Sequence, residues 1–387
     1  MLPATRPVHV AQRALRSPLL YLFHLLSFSL RTIRSHDIRS LGHITPPDGT
    51  TLVPKPKVVL FMHLPKCSGS TVRNIFYANG WTATSWSLTQ RLHGWKANRI
   101  LHSIHNYLRQ NKSRIFVEWH LSVNFSFVPE LEHYVRAMRP DVEFRSFTII
   151  RKPTAFVASD GAFWMPHRPA DEVIQMKPEF TLFGALNISY TPADGHAVCK
   201  QEPEFCKGLA VWEASSRGRK KGDGPTVLNV NAKIFPEDRT AAEQVAARVA
   251  GMRAKVKAVG CNPLVKEGVA LLSPLSKVFL FEDNATLPSI YAAASQGDLD
   301  FRPMPPPYPT FKHSARTNPA FLAPYKTPEA SAALELANRC SMILYTLLSQ
   351  AISQGTPLAD VPSNWISQGT PLADVPSNWT AAGHSVS

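Results

Sequence analysis

The chain of 387 residues carries 42 lysines and arginines against 28 acids, a formal net charge of +14, with 44% hydrophobic and 18% charged residues. That balance suits a globular protein with a real core rather than a disordered chain, and the length is enough for one large α/β domain with appendages or for two small domains. The excess of positive charge calls for an anionic partner: a nucleotide, nucleic acid, acidic glycan or membrane surface.

Taken in order, residues 1–56 read as a leader and linker. Ser17–Leu30 (SPLLYLFHLLSFSL) is an apolar run bracketed by Arg13, Arg16, Arg31 and Arg34. It is shorter than the ~20 residues a helix needs to span a bilayer. It reads as a short type II signal-anchor or the apolar part of a signal peptide. With no acid before Asp37, an organelle transit peptide is the alternative. Pro46, Pro47, Pro54 and Pro56 mark the linker. Val58–His63 is the first strand, and a helix is expected from Thr71. Helical patterning recurs over Arg99–Arg109, Arg114–Trp119 is a second strand, Leu131–Met138 is helical, and Phe144–Ile150 is a buried, β-branched third strand. Residues 165–235 form an irregular insertion rich in Pro, Gly and charge. Glu237–Val259 is expected to be an Ala-rich amphipathic helix, Lys277–Phe281 a fourth strand, 302–325 an irregular proline-rich stretch, and Ala330–Gln350 the closing helix. Strands alternating with helices predict an α/β domain over 57–350, with a central parallel sheet covered on both faces. In the tail, 351–387, the segment ISQGTPLADVPSNW at 352–365 recurs unchanged at 366–379. Two copies are too few for a stacked repeat, so a flexible C-terminal tail is expected.

The five cysteines, Cys67, Cys199, Cys206, Cys261 and Cys340, include no CxxC pair, which argues against a structural zinc site. The last four can form two disulfides or remain buried thiols. N-x-S/T sequons stand at Asn111, Asn124, Asn187, Asn284 and Asn378, and five in one chain lean towards the secretory lumen. His102 and His105 share a helix face without a third ligand, so no metal is expected there. The loop GRKKGDG at 218–224 is basic enough to grip an acidic glycan, though a solvated loop is the plainer reading. No RNA-binding signature or basic-aromatic interleaving occurs, so no nucleic-acid partner is expected.

The informative stretch is HLPKCSGSTVRN at 63–74, a strand end running into small residues and a helix. Small residues from Cys67 to Thr71 let backbone amides converge on an anion at a helix N-terminus. An ATP-binding Walker A loop has its lysine directly before the hydroxyl residue. Here Lys66 precedes the loop instead. A second stretch, FTIIRKPTAFVAS, puts Arg151 at a strand end and Ser159 eight residues on. Such an arginine offers a bidentate fork to phosphate, and the serine adds a hydroxyl donor. A third, IFVEWHLSV, ends a strand with Glu118 and His120; a fourth, VFLFEDNATL at 278–287, is a late strand ending in Glu and followed by a helix.

Together these segments resemble the Golgi carbohydrate sulfotransferases, particularly the heparan sulfate 2-O and galactose 3-O types, over 57–165 and more loosely over 275–350. The resemblance implies a P-loop NTPase-like three-layer fold and a membrane-anchored luminal glycoprotein. It implies sulfuryl transfer from 3′-phosphoadenosine-5′-phosphosulfate (PAPS) to a carbohydrate hydroxyl, with no metal. Lys66, Cys67, Ser68, Gly69, Ser70 and Thr71 would hold the 5′-phosphosulfate, Lys66 neutralising the leaving group. Arg151 and Ser159 would hold the 3′-phosphate, and His120 would take the acceptor's proton. Some relatives carry a second histidine where this chain has Glu118, which leaves both Glu118 and His120 as candidate bases. Two alternatives stand: a P-loop kinase, and a degenerate glycan-binding member without turnover.

Overall fold

The structure is a computed structural model, and it describes residues 55–83, 96–120, 125–164, 166, 168–176, 182–186, 256, 259–302, 319–362 and 364–365. Five strands form one sheet: β1 (Lys57–His63), β2 (Thr82–Ala83), β3 (Arg114–His120), β4 (Glu143–Ile150) and β5 (Lys277–Leu280). Their order across the sheet is β2-β3-β1-β4-β5, and every pairing is parallel. Strand β1 is buried from Val58 to His63. Its continuous apolar run is what a central parallel strand covered on both faces requires.

Among the described residues the helices are α1 (Gly69–Ala78), α2 (Lys96–Arg109), α3 (Val128–Met138), α4 (Pro153–Trp164), α5 (Ala170–Met176), α6 (Cys261–Leu272), α7 (Thr286–Gln296), α8 (Pro328–Ala337) and α9 (Arg339–Ser353), with single turns at Leu182–Ala185 and Pro319–Leu322. Helix α1 packs on α7, α2 packs on α3, and α6 packs on α9. Right-handed crossovers carry β1 to β2 on one face and β2 to β3 on the other. That sets α1 and α7 against one side of the sheet, and α2, α3 and α6 against the other. Between them lies one large core, in which Phe61, Phe76, Phe116 and Phe147 stack in sequence across the α1 face. A smaller cluster of Val157, Val173, Ile174, Tyr325 and Leu334 joins α4, α5 and α8.

The expected strands are all present, and the alternation of strand and helix does predict this parallel α/β sheet. Three expectations are revised. The closing helix over Ala330–Gln350 is two helices, broken at Asn338. The Asn338 backbone N–H and side-chain amide both donate to the Leu334 carbonyl, a local side-chain bond of the kind that marks a helix end. The first of the two starts earlier than expected, at Pro328, where Thr327 accepts from the Ala330 N–H and proline occupies the first turn. Second, the irregular insertion begins with helix α5, whose Val173 and Ile174 are buried in the smaller cluster. Third, the start of the tail is ordered. Helix α9 runs to Ser353, Gly355 turns the chain at φ 66, and Leu358, Val361 and Trp365 pack on the core. The first copy of the duplicated segment therefore belongs to the fold. The second copy, the Ser17–Leu30 run and nearly all of the expected helix Glu237–Val259 lie outside the described residues. Among the described residues no helix is long and apolar enough to cross a membrane.

Cys261 and Cys340, the first turns of α6 and α9, are joined by a disulfide. Alongside it, Gly268 lets Leu344 approach so closely that a Cβ would lie 2.6 Å from its Cδ2. Cys67 is a free, buried thiol; Cys199 and Cys206 fall outside the described residues.

Candidate functional site

The strand order places the site. From β1 the chain moves towards β2 on one side, and from β4 it moves towards β5 on the other. The C-terminal ends of β1 and β4 therefore lie where the winding reverses, which is where open parallel sheets bind ligands. The loop of residues 64–68 leaves β1 there, and Arg151 leaves β4 beside it.

The loop is held in an unusual backbone form. Lys66 and Ser68 have φ of 60° and 59°, while Cys67 between them does not share that sign. Such alternation turns successive N–H groups to one side, making a concavity suited to an anion. Each left-handed non-glycine residue costs about 1 kcal/mol or more. Ser68 stands at the N-cap of α1 without a side-chain cap, so its hydroxyl leaves the first helical N–H groups to other acceptors. Gly69 opens the helix, where a Cβ would lie 1.9–2.4 Å from the imidazole of His63, so any side chain must displace that ring. Ser70 is exposed and Thr71 is buried.

Arg151 faces this loop. One of its Nη atoms donates to the Lys66 carbonyl at 3.2 Å, and its guanidinium lies 4.5 Å from the ring centre of Phe281. Its Nε is buried without a hydrogen-bond partner. Burial pulls its pKa down, against the favourable pull of neighbouring groups. No described carboxylate pairs with it. Glu282, whose charge acts favourably on Arg151, accepts instead from the Lys152 N–H and the Tyr345 hydroxyl. The Tyr345 hydroxyl is pushed up by burial and by that bond. A half-buried guanidinium with one sealed, unsatisfied N–H is better satisfied when an anion completes it. Lys66 places its Nζ 3.7 Å from the ring centre of Phe163 on α4. Burial pushes the Cys67 thiol up to about 12, outweighing the lowering effect of Arg151. It is a small, neutral filler of the loop and no nucleophile. Ser159 is buried on α4, and no hydrogen bond links it to Arg151 among the described residues.

A second group lies beside the loop on the α1 face. His63 and His120 are the last paired residues of β1 and β3 and stand directly opposite each other. Their rings stack at 4.1 Å between centres. Glu118, two residues earlier in β3 and thus on the same face, is 3% exposed. One of its oxygens lies 2.6 Å from His63 Nδ1, and the other accepts from Arg73 Nε at 2.7 Å. Arg73 reaches down from α1, one turn beyond Gly69. Sequence reasoning found Glu118 and His120 but assigned nothing to His63 and Arg73. The signal was present in two strands, FMH and EWH, that both end in histidine, and in an arginine four residues after the helix's first glycine.

His63, Glu118 and His120 bring potential ligand atoms within 4.8 Å of one another. Imidazole lone pairs lie in the ring plane, and these two planes are inclined at only 28°. Planes so placed meet roughly 8 Å away, whereas a metal bound to a ring nitrogen lies about 3 Å from the ring's centre. Arg73 also occupies the carboxylate, so in this arrangement Arg73, Glu118 and His63 form a hydrogen-bonded relay.

The structure therefore brings Lys66, Cys67, Ser68, Gly69 and Arg151 together around one loop, sets Glu118 and His120 next to it through His63, and leaves Ser159 further along α4. Comparison with known proteins finds no matching family model, no matching curated protein and no matching solved structure.

Proposed function

We propose that the chain is a P-loop-like sulfotransferase that moves a sulfuryl group from PAPS to a hydroxyl of a carbohydrate acceptor. The observation that carries this reading is Arg151: a half-buried guanidinium whose Nε is sealed from solvent without a hydrogen-bond partner, with no described carboxylate paired to it, bonded to a loop whose backbone alternates in hand. Two anionic groups on one ligand, a phosphosulfate and a separate phosphate, suit a cradle and an arginine at adjacent strand ends. A lysine before the loop rather than in the helix disfavours ATP. The loop amides and Lys66 hold and neutralise the 5′ end, and Arg151 with Ser159 takes the 3′-phosphate. As the acceptor oxygen bonds to sulfur and the sulfur–oxygen bond to the nucleotide breaks, the acceptor's proton goes to His120. His120 is preferred to Glu118 as the base because both Glu118 oxygens already accept hydrogen bonds from His63 and Arg73. This chemistry needs no metal.

The Cys261–Cys340 disulfide favours an oxidising compartment, in line with the five sequons and a Golgi-luminal enzyme anchored by its N-terminus. Two of those sequon asparagines, Asn111 and Asn284, are exposed.

The test is calorimetric titration with 3′,5′-adenosine bisphosphate against ATP–Mg, followed by transfer of labelled sulfate to a set of glycans, acidic ones included. Selective binding of the bisphosphate, weakened at least tenfold in Arg151→Ala, is expected. His120→Ala should abolish transfer while binding persists. Preference for ATP–Mg points to a kinase instead, and binding of glycan without any transfer points to a lectin-like member that has lost turnover.

A further inference from the structure

The relay beside the loop contains an imidazole to which the reaction above gives no part. His63 is buried, as are Glu118 and His120. Arg73 donates to both oxygens of Glu118, at 2.7 Å from Nε and 3.4 Å from Nη2. The carboxylate is thus an acceptor, and the proton in its 2.6 Å contact with His63 belongs to Nδ1. The ring is bounded by the backbone of Gly69, by Phe61 at 5.1 Å and by His120 at 4.1 Å. Its bond to Glu118 and this close packing hold its plane.

His120 ends β3, where the ladder to β1 stops at the His63–His120 pair. A histidine at a strand end has a broad χ2 preference of its own. The stacked face of a tethered neighbour narrows it. An apolar residue at 63 would fill the same space without burying polar groups, and burying a histidine, glutamate and arginine has a desolvation cost. We propose that His63, tethered through Glu118 to Arg73, is a positioning residue that sets the ring plane of His120 and so aims the base at the acceptor hydroxyl. The inference rests on the reading of His120 as that base. His63 from β1 stacks on His120, Glu118 from β3 lies within 4.8 Å of it, and Arg73 from α1 holds Glu118.

Three variants separate the parts. His63→Phe keeps a flat ring for the stack and removes the tether. His63→Asn keeps a donor near the Nδ1 position and removes the ring. Glu118→Gln keeps the shape and removes the charge. Long-range proton–nitrogen spectra of the histidine-labelled full chain read the tautomer directly, without any reaction. The wild type should show His63 with its proton on Nδ1, and the ring signals of His120 should move in all three variants. In sulfate transfer, each variant should lose about tenfold or more in kcat, with affinity for 3′,5′-adenosine bisphosphate within twofold of wild type. Unmoved His120 signals, a proton on His63 Nε2, wild-type kcat in His63→Asn, or a kcat loss matched by equal loss of nucleotide binding would each overturn the proposal. If the spectra behave as expected while no acceptor is ever sulfated, the sulfuryl-transfer reading falls and the positioning of His120 stands.

Discussion

Breaking the Cys261–Cys340 bridge tests how the fold is held. The bond closes a chain segment of sequence separation 79. In the chain-entropy treatment, opening a loop of that size frees the unfolded ensemble by about 4.5 kcal/mol at 25 °C. The folded state loses little, because α6 and α9 stay packed through contacts such as Gly268 with Leu344. Over a cooperative unit of roughly 200–300 residues, this corresponds to a fall of about 7–11 °C in Tm. The double variant Cys261→Ser/Cys340→Ser is the clean perturbation, since single variants leave a reactive partner thiol. Calorimetric melting of both proteins at several scan rates measures it, with the scan-rate dependence checking that equilibrium is reached. A Tm within 2 °C of wild type would refute the reasoning. The bridge would then either be unformed or close a loop that the unfolded chain already keeps compact.

Other outcomes follow from the site. Gly69→Ala forces a Cβ into the His63 ring; the ring must rotate off Glu118, so denaturant unfolding should show a loss of about 2–4 kcal/mol. The Cys67 thiol, raised from 9.0 to about 12 by burial, should resist iodoacetamide at pH 8 in the folded protein and react once unfolded. The same shift makes stability fall as pH rises. Above about pH 9 the unfolded chain releases a proton that the folded chain keeps until about pH 12, a loss of up to about 4 kcal/mol across that interval. Cys67→Ala should flatten this part of the stability–pH curve, and an unchanged slope would mean the thiol is not sealed in. Arg151→Lys keeps a charge but not the planar fork, and should bind 3′,5′-adenosine bisphosphate more weakly than wild type by calorimetry, because one ammonium cannot both dock the loop and meet a phosphate.

Much of this molecule is legible along the chain. The apolar runs VVLFM, IFV and FTII predict buried parallel strands because a strand covered on both faces shows no alternation. The small residues after Lys66 mark a cradle because only small side chains let backbone amides converge on one point. Arg151's place at a strand end beside the loop is also legible, and the structure sets its guanidinium against the Lys66 carbonyl. Other features depend on partners far away in sequence. Glu118 reads as a candidate base until Arg73, 45 residues earlier, and His63, 55 residues earlier, are found on its two oxygens. No local pattern encodes that meeting, since it follows from the parallel register that sets His63 opposite His120. Likewise the requirement for glycine at 69 comes from the ring of His63 above it, and the pairing of Cys261 with Cys340 from two helices lying side by side.

What the sequence by itself determined is therefore the alternation of strands and helices, the loop's composition and the chemical character of its neighbours, all properties of short segments. What only the tertiary structure decided is which strand lies beside which, and so which polar groups are buried together. Strand order in a parallel sheet is set by long-range packing, and one-dimensional patterning carries no record of it. The clustering of His63, Arg73, Glu118 and His120 is a consequence of that order.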